Sequence, residues 1–312
     1  MASAPSDNPS VPTQPASNAA VASAAPIGLT SLPVDWKLVV WMVFLTAVWG
    51  SNMVSIKVLT VGMSPVMGAA MRGVFALVCL TALGLWRKET LVPRHRATLH
   101  CSANGLLFAL EFLLLYRGAA FTNAGHMSVF LNTAPFWVAI GAHLLLPGDR
   151  LTRLRVIGLM LAFVGVALLF SDDLLVRQSG FWRGDLMVLA GAALWGTTTI
   201  YLKRTVAEHF SGFQMIYVQV LVSTPVLLGV SLLTEPDPFF ASTLTTWAMA
   251  LYQGGFIVFF TYLMWNILLR KYPASAVQSF TFLTPGWGVL MGVLLLGEEA
   301  TALVLAGMAT IA

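Results

Sequence analysis

The sequence predicts an all-α integral membrane protein with ten transmembrane helices, arranged as two inverted five-helix repeats. Three observations predict this fold. Charged residues make up 10% and hydrophobic residues 58% of the 312 residues, whereas a soluble domain has about 25% charged residues. Apolar runs recur at the length of a spanning helix, and the two halves repeat each other. The composition argues against a soluble enzyme, a disordered protein and a nucleic-acid-binding protein.

Ten helices are predicted in order after a disordered tail at 1–33, which is rich in Ala, Ser and Pro. Backbone in lipid must satisfy its own hydrogen bonds, so these runs form helices rather than open strands. The last helix would span only about 18 Å, so we expect a truncated C-terminus. The predicted helices are about 36–59, 64–86, 98–120, 125–147, 153–171, 184–206, 212–233, 244–269, 274–297 and 301–312.

The charges of the connecting loops predict the orientation. With a cytoplasmic N-terminus, the inner ends and loops collect 12 of the 17 basic residues: Lys37, Arg87, Lys88, Arg94, Arg96, Arg150, Arg153, Arg155, Lys203, Arg204, Arg270 and Lys271. The outer side receives the acidic residues Asp172, Asp173, Asp185, Glu235, Asp237, Glu298 and Glu299. The positive-inside rule therefore predicts a multi-pass protein with a cytoplasmic tail.

An internal repeat divides the chain at 36–171 and 184–312. The segments TAVWGSNMVSIK (46–57) and AALWGTTTIYLK (192–203) share Trp-Gly and a Lys seven residues after the Gly. Three further anchors match: Ser64-Pro65 with Arg72 against Ser211-Gly212 with Gln219, Pro135 against Pro285, and LLLPGDRLT against LLLGEEAT. Because five helices is an odd number, the second copy enters the membrane from the opposite side. Such inverted repeats are typical of secondary transporters, with the substrate site at the repeat interface.

As a set, these motifs resemble the EamA family of the drug/metabolite transporter superfamily. The resemblance rests on the paired Trp-Gly…Lys segments, Pro65 with Arg72, the two central prolines and the LLLGE segment ending at Glu298, and it covers about 40–312. It implies a ten-helix permease of the bacterial inner membrane, often an exporter of amino acids or other small metabolites. The short last helix departs from the family pattern.

Two charges lie well inside predicted helices, Arg72 and Glu111. A charge at the bilayer centre costs about 3 kcal/mol on insertion scales, so it should face a cavity or a partner. Counted from the outer helix ends, both lie about 12–13 Å deep. One interpretation is that Arg72 binds a substrate carboxylate, while Glu111 binds an amine or carries a proton. The other is a structural salt bridge between the second and third helices.

The remaining predicted site residues are polar or aromatic groups at similar depth. Pro135 and Pro285 are predicted as hinges, because a proline in the middle of a helix removes a backbone hydrogen bond. Helix–helix hydrogen bonding and packing are the alternative roles for the other residues. The other predicted substrate-binding residues are Trp49, Asn52, Asn132, Trp195, Thr198, Gln219 and Gln278.

The sequence therefore predicts a secondary transporter that exports a small metabolite such as an amino acid by alternating access. Alternatives are a nucleotide-sugar or drug carrier and a passive channel. An enzyme is not expected, since the chain has no HExxH, GxSxG, Walker or CxxC motif. No metal or cofactor is predicted. The partners are the lipid bilayer and a small-molecule substrate; proton coupling, facilitated diffusion, a monomer and a homodimer all remain open.

Overall fold

A computed structural model describes residues 32–175, 181–296 and 302–311. Within these residues every regular element is a helix, which confirms the all-α prediction. Residues 1–31 of the predicted tail, and the predicted outer residues Glu298 and Glu299, lie outside the described residues.

The helices follow one another with short connections. In the first half they are α1 Trp36–Leu59, α2 Pro65–Arg87, α3 Ala97–Ala119, α4 Ala124–Leu131, α5 Ala134–Leu145, α6 Arg153–Leu169 and α7 Ser171–Leu175. In the second half they are α8 Phe181–Thr205, α9 Gly212–Thr234, α10 Leu244–Leu251, a π-helical segment Tyr252–Tyr262, α11 Leu263–Lys271, α12 Ala274–Ser279, a 3-10 turn Phe280–Phe282, α13 Leu283–Leu296 and α14 Ala302–Ile311.

Several helices begin where a polar residue can accept a hydrogen bond from the first turn. Asp35 accepts from the Leu38 amide at the start of α1, and Asn123 accepts from the His126 amide at the start of α4. Such caps satisfy backbone donors that have no partner within the helix. They explain why these helix boundaries agree with the predicted ones.

Six helical stretches in the described part of the chain are long and apolar enough to cross a membrane. They are Pro65–Arg87, Ala97–Ala119, Gly125–Leu145, Phe181–Thr205, Gly212–Thr234 and Leu244–Lys271. The other predicted helices are also helical where described, as α1, α6, α12–α13 and α14. The protein is therefore a multi-pass membrane protein by the length and composition of its helices.

The helical stretches that contain Pro135 and Pro285 are both discontinuous. α4 ends at Leu131 and α5 begins at Ala134, so Pro135 lies in the first turn of a helix. In the second half, α12 passes through a 3-10 turn into α13, whose third residue is Pro285. Both prolines lie near the middle of the predicted fourth and ninth helices, as expected, and each helix is interrupted just before its proline. Each begins a half-helix, where its missing N–H costs little.

Equivalent helices of the two halves make equivalent contacts with the opposite half. α5 packs against α8, and α1 packs against α13; likewise α3 packs against α9, and α2 packs against the π-helical segment. Each pair of contacts joins an element of one half to an element of the other. The core therefore lies between the two halves rather than within each of them.

Single residues show the same equivalence between the two halves. A Cβ on Gly105 would lie 3.2 Å from the Gln219 carbonyl oxygen, and a Cβ on Gly254 would lie 2.5 Å from the Arg72 carbonyl oxygen. Gly105 and Gly254 are 149 positions apart, and Arg72 and Gln219 are 147 apart. Equivalent glycines thus allow equivalent close approaches in the two halves.

Candidate functional site

A cavity of about 680 Å³ lies between the two halves. At one end it reaches the exposed residues Ala119 and Ala120, where α3 finishes. Towards the other end it is bounded by the buried side chains of Leu202 and Leu269. The cavity is therefore open at one end of the helix bundle and closed at the other.

Most of the predicted site residues line this cavity. They are Trp49, Asn52, Arg72, Glu111, Asn132, Trp195, Thr198, Gln219 and the predicted hinge Pro285. Gln278 and Pro135 are not among the lining residues. Gln278 is fully buried, and its Nε2 donates a hydrogen bond to Thr281 Oγ1 at 3.5 Å. The structure thus brings nine of the eleven predicted residues together and leaves these two outside.

Arg72 is held by two phenol groups and one aromatic face. Its Nη1 donates to the Tyr116 hydroxyl at 3.1 Å, and its Nη2 donates to the Tyr262 hydroxyl at 3.2 Å. Its Cζ lies 4.3 Å from the centre of the Phe112 ring, within cation–π distance. Tyr116 in turn donates to Gln253 Oε1 at 3.3 Å. Neutral groups therefore hold this buried cation in one orientation.

Glu111 lines the same cavity and bonds a different helix. Its Oε2 accepts a hydrogen bond from the Thr198 hydroxyl of α8 at 3.3 Å, and the residue is 3% exposed. Among the described residues, no ion pair of 4.0 Å or shorter joins Glu111 to Arg72. A structural salt bridge between these residues, the alternative interpretation of the sequence, is therefore not formed here.

The predicted tryptophans meet in an aromatic cluster on the cavity wall. The rings of Trp49 and Trp195 lie 6.4 Å apart, and Trp265 lies 5.4 Å from Trp49 and 6.4 Å from Trp195. Trp49 Nε1 donates to Thr261 Oγ1 at 2.8 Å. The wall therefore offers large apolar faces held in fixed positions.

A chain of uncharged polar groups joins helices of the two halves. Gln219 Nε2 donates to Asn104 Oδ1 at 2.6 Å, and Asn104 Nδ2 donates to the Thr198 carbonyl oxygen at 2.8 Å. These bonds join α9 to α3 and α3 to α8. Gln219, the repeat equivalent of Arg72, is therefore held by a hydrogen bond to Asn104.

Sequence reasoning missed several residues of this site: Asn104, Tyr116, Gln253, Tyr262, Trp265 and Asn266. A signal for two of them was present. Asn104 and Gln253 each precede a glycine inside an apolar helix, and they lie 149 positions apart, which makes them repeat equivalents. The tyrosines gave no such signal, because phenols are common in apolar helices without any ligand.

The closed end is held by polar contacts that converge on the loop between α11 and α12. Lys203 donates to the Leu269 carbonyl oxygen at 2.7 Å and also to the Tyr272 carbonyl oxygen. The Tyr272 hydroxyl donates to Asp35 at 2.8 Å. Asp149 accepts from the Ser275 amide at 3.0 Å. This loop is therefore tied to α8, to the start of α1 and to the α5–α6 connection.

Nothing in the described part of the chain is arranged as a metal centre. No group of three or more His, Cys, Asp or Glu side chains is placed there to hold a metal ion. Cys79 and Cys101 are both free thiols. The chemistry of the site is therefore that of hydrogen bonds, two charges and aromatic surfaces.

Comparison with known proteins agrees with this architecture. The model of the EamA-like transporter family matches residues 36–171 and again 182–312. The chain is 24% identical over 273 residues to "Uncharacterized transporter YoaV" of Bacillus subtilis strain 168, covering 87% of this chain and 92% of the relative. It is 29% identical over 272 residues to a "Probable amino-acid metabolite efflux pump" of Salmonella typhimurium strain LT2, covering 83% and 87% respectively.

A protein of known crystal structure shares the fold. It superposes with a TM-score of 0.76 at 16% sequence identity, over 88% of this chain and 94% of that chain. The match to the EamA-like family and the long apolar helices define a multi-pass membrane transporter of small molecules. The chain belongs to the EamA-like transporter family. Its relatives are named as transporters or efflux pumps, which confirms the prediction that it is not an enzyme.

Proposed function

We propose that this protein is a secondary transporter that exports a small zwitterion, of the amino-acid class, by alternating access. The observation that carries the proposal is that Arg72 and Glu111 line one cavity without pairing with each other. A buried cation and a buried carboxylate are each costly without an opposite charge. A zwitterionic substrate would supply both opposite charges at once.

In this proposal Arg72 binds the substrate carboxylate. A guanidinium has five N–H donors, and the two tyrosine hydroxyls use two of them. The remaining donors can bind a carboxylate in the bidentate geometry that arginine favours. Glu111 then binds the substrate ammonium group or, between substrates, a proton. Proton exchange through Glu111 would make the carrier an antiporter.

The architecture that supports alternating access is a pair of inverted repeats with ten crossing helices. The α5–α8 contact is equivalent to the α1–α13 contact, and the α3–α9 contact is equivalent to that between α2 and the π-helical segment. Such matched contacts are expected of two halves related by a two-fold axis. With five crossings in each half, that axis lies in the membrane plane. The half-helix starts at Pro135 and Pro285 would be the hinges, and residues 36–171 and 184–312 the two moving units.

The orientation follows from the basic loops. The loop after Arg87 contacts the start of α9 through Thr90 and Gln214. The loop with Arg150 contacts the start of α12 at the closed end through Asp149 and Ser275. By the positive-inside rule this end is cytoplasmic, so the described conformation faces outward. The contacts of Lys203 and Asp149 on the α11–α12 loop would form the inner gate, which must break for substrate to enter from the cytoplasm.

Nucleotide-sugar transport is less well supported. A nucleotide diphosphate would require several cations, since each phosphate charge needs a basic partner in a buried site. Among the described lining residues, Arg72 is the one Lys or Arg. A zwitterion therefore fits the charges better. The relatives named as amino-acid metabolite efflux pumps point to the same class.

The test is uptake of each of the twenty radiolabelled L-amino acids into proteoliposomes, with and without the same amino acid trapped inside. A carrier shows saturation and counterflow with at least one of them; flux without saturation or counterflow would indicate a channel. The corresponding amino-acid amide, which lacks the carboxylate, should compete at least about tenfold less well, because a charge-assisted hydrogen bond is lost.

Two variants test the roles proposed for Arg72 and Glu111. Arg72→Gln should abolish the discrimination between the amino acid and its amide, and Glu111→Gln should remove the pH dependence of counterflow. Arg117→Gln, on the same helix as Glu111 but outside the cavity lining, is the matched control and should behave as wild type. Unchanged discrimination in Arg72→Gln would contradict the carboxylate site, and unchanged pH dependence in Glu111→Gln would contradict the proton role.

A further inference from the structure

The π-helical segment places two of the groups that hold Arg72 on one face. Gln253 and Tyr262 are nine residues apart. In an α-helix with 3.6 residues per turn, nine residues are two and a half turns, so these side chains would point in opposite directions. In a π-helix with i→i+5 hydrogen bonds and about 4.4 residues per turn, nine residues are close to two turns. Both side chains therefore lie on the same face of the segment, where Tyr262 bonds Arg72 and Gln253 bonds Tyr116.

Gln253 acts on Arg72 through Tyr116. A phenol has one proton to donate. Because Tyr116 donates that proton to Gln253 Oε1, its oxygen lone pairs are left to accept from Arg72. Gln253 is fully buried and is not among the cavity-lining residues. It can therefore set the orientation of Tyr116 without touching a substrate.

The equivalent position in the other half is built differently. Asn104, the repeat equivalent of Gln253, bonds directly to Gln219, the equivalent of Arg72. It lies on α3, which is α-helical throughout. The repeat offset grows from 149 at Gly105 and Gly254 to 150 at Pro135 and Pro285. The second half thus carries one residue more between these two pairs of positions, a stretch that includes most of the π-helical segment.

We propose that the segment Tyr252–Tyr262 is the positioning element for the Arg72 guanidinium, with Gln253 and Tyr262 as positioning residues for carboxylate binding. The charged half of the site needs this extra device because a guanidinium on a long flexible side chain loses much conformational freedom when it is fixed. The effect on transport rests on the proposed function, whereas the fixed orientation of Arg72 does not.

The deciding experiment uses the full-length protein without substrate. Phenylglyoxal modifies arginine guanidinium groups, and mass spectrometry measures its rate at Arg72 relative to Arg94, an exposed loop residue. Gln253→Leu removes the acceptor for Tyr116 and should raise the relative rate at Arg72 about threefold, the equivalent of one net hydrogen bond. Gln253→Glu keeps an acceptor oxygen and should restore the wild-type rate.

Tyr252→Phe is the matched control in the same segment. Its hydroxyl bonds Ser51 at 2.8 Å and takes no part in holding Arg72, so the Arg72 rate should not change. Equal rates at Arg72 in Gln253→Leu and wild type would overturn the proposal, and so would an equal rise in the Tyr252→Phe control or in Gln253→Glu.

Deleting Gly255 tests the π-helical register itself. The deletion returns the segment to an α-helical register and should raise the Arg72 rate at least as much as Gln253→Leu; a folded deletion variant with the wild-type rate would overturn the proposal. If the deletion variant does not fold, the Gln253 variants decide.

With the amino acid selected by the uptake panel, Gln253→Leu should raise KM about threefold and keep kcat within about twofold. A loss of kcat with unchanged KM would contradict a positioning role. If no amino acid is transported, the proposed function fails, but the Arg72 rates still test the inference.

Discussion

Gly196 of α8 packs so closely on Trp137 of α5 that a Cβ on Gly196 would lie 2.5 Å from the Trp137 Cβ. Its repeat equivalent, Gly50 of α1, packs in the same way on Trp287 of α13, where the corresponding distance is 2.9 Å. The Trp-Gly motif of each half therefore fits the discontinuous helix of the other half. In the proposed alternating-access mechanism, these contacts join elements that would move relative to each other.

Gly196→Ala should destabilise the protein, because the new methyl group has no room beside a Cβ and a backbone atom. Overpacking of this kind costs about 1–3 kcal/mol, which should lower Tm in detergent by several degrees. Gly229→Ala is the control, since a Cβ there would meet nothing within 4 Å, and it should leave Tm unchanged or slightly raised. Equal Tm values for the two variants would show that the Gly196 contact is not tight.

Lys203→Met should loosen the closed end. Lys203 is 5% exposed and bonds carbonyl oxygens at the end of α11, and loss of a charged hydrogen bond is worth about 1.5–3 kcal/mol. Cys101 is fully buried in the apolar cluster that includes Leu202 and Leu269. Its labelling by N-ethylmaleimide in a Cys79→Ser background should accelerate about tenfold.

The control for this labelling is Arg204→Met, which removes an exposed charge next to Lys203 in the sequence. It should leave the Cys101 rate unchanged. A Cys101 rate in Lys203→Met equal to that of wild type would mean that the lysine does not hold the closed end together.

Asp35 should make the start of α1 sensitive to acid. Hydrogen bonds from the Leu38 amide and the Tyr272 hydroxyl hold the pKa of Asp35 below its usual value. A carboxylate with a lowered pKa stabilises the folded state above its unfolded pKa of about 3.9, and this contribution is lost as the pH falls towards the folded pKa. The Tm difference between wild type and Asp35→Asn should therefore be positive at pH 7 and shrink below about pH 4.

Asp237→Asn is the matched control at an exposed loop carboxylate. Its Tm difference from wild type should stay constant over the same pH range. If the Asp35→Asn difference also stays constant, the cap and the Tyr272 contact contribute no pH-dependent stability.

The sequence predicts the helices well because their ends carry local signals. Residues 36–59 are predicted and α1 is Trp36–Leu59, with Asp35 as a visible cap. The π-helical segment could not be predicted in this way. Tyr252–Tyr262 is apolar on most sides, so its sequence has no periodicity that separates an α-helical from a π-helical register.

The sequence predicts how deep the site residues lie in the membrane, but not which groups their side chains contact. Counting residues gives the depth of Arg72 and Glu111 along their helices, but the rotation and packing of the helices decide which groups they meet. Tyr116 and Tyr262 reach Arg72 from two other helices. The sequence predicts Lys203 as a cytoplasmic charge and as part of the repeated Trp-Gly…Lys motif, but not its contacts at the closed end, because its carbonyl partners belong to a loop far away in sequence.

The most direct test of the inverted repeats is the side of the membrane that equivalent loops face. In a Cys79→Ser, Cys101→Ser background, Thr90→Cys marks the α2–α3 loop and Asp237→Cys marks the equivalent α9–α10 loop; both positions are exposed. A membrane-impermeant maleimide added to intact cells should label Asp237→Cys and leave Thr90→Cys unlabelled until the membrane is opened. Labelling of both positions from the same side would contradict the inverted repeats and, with them, the proposed transport mechanism.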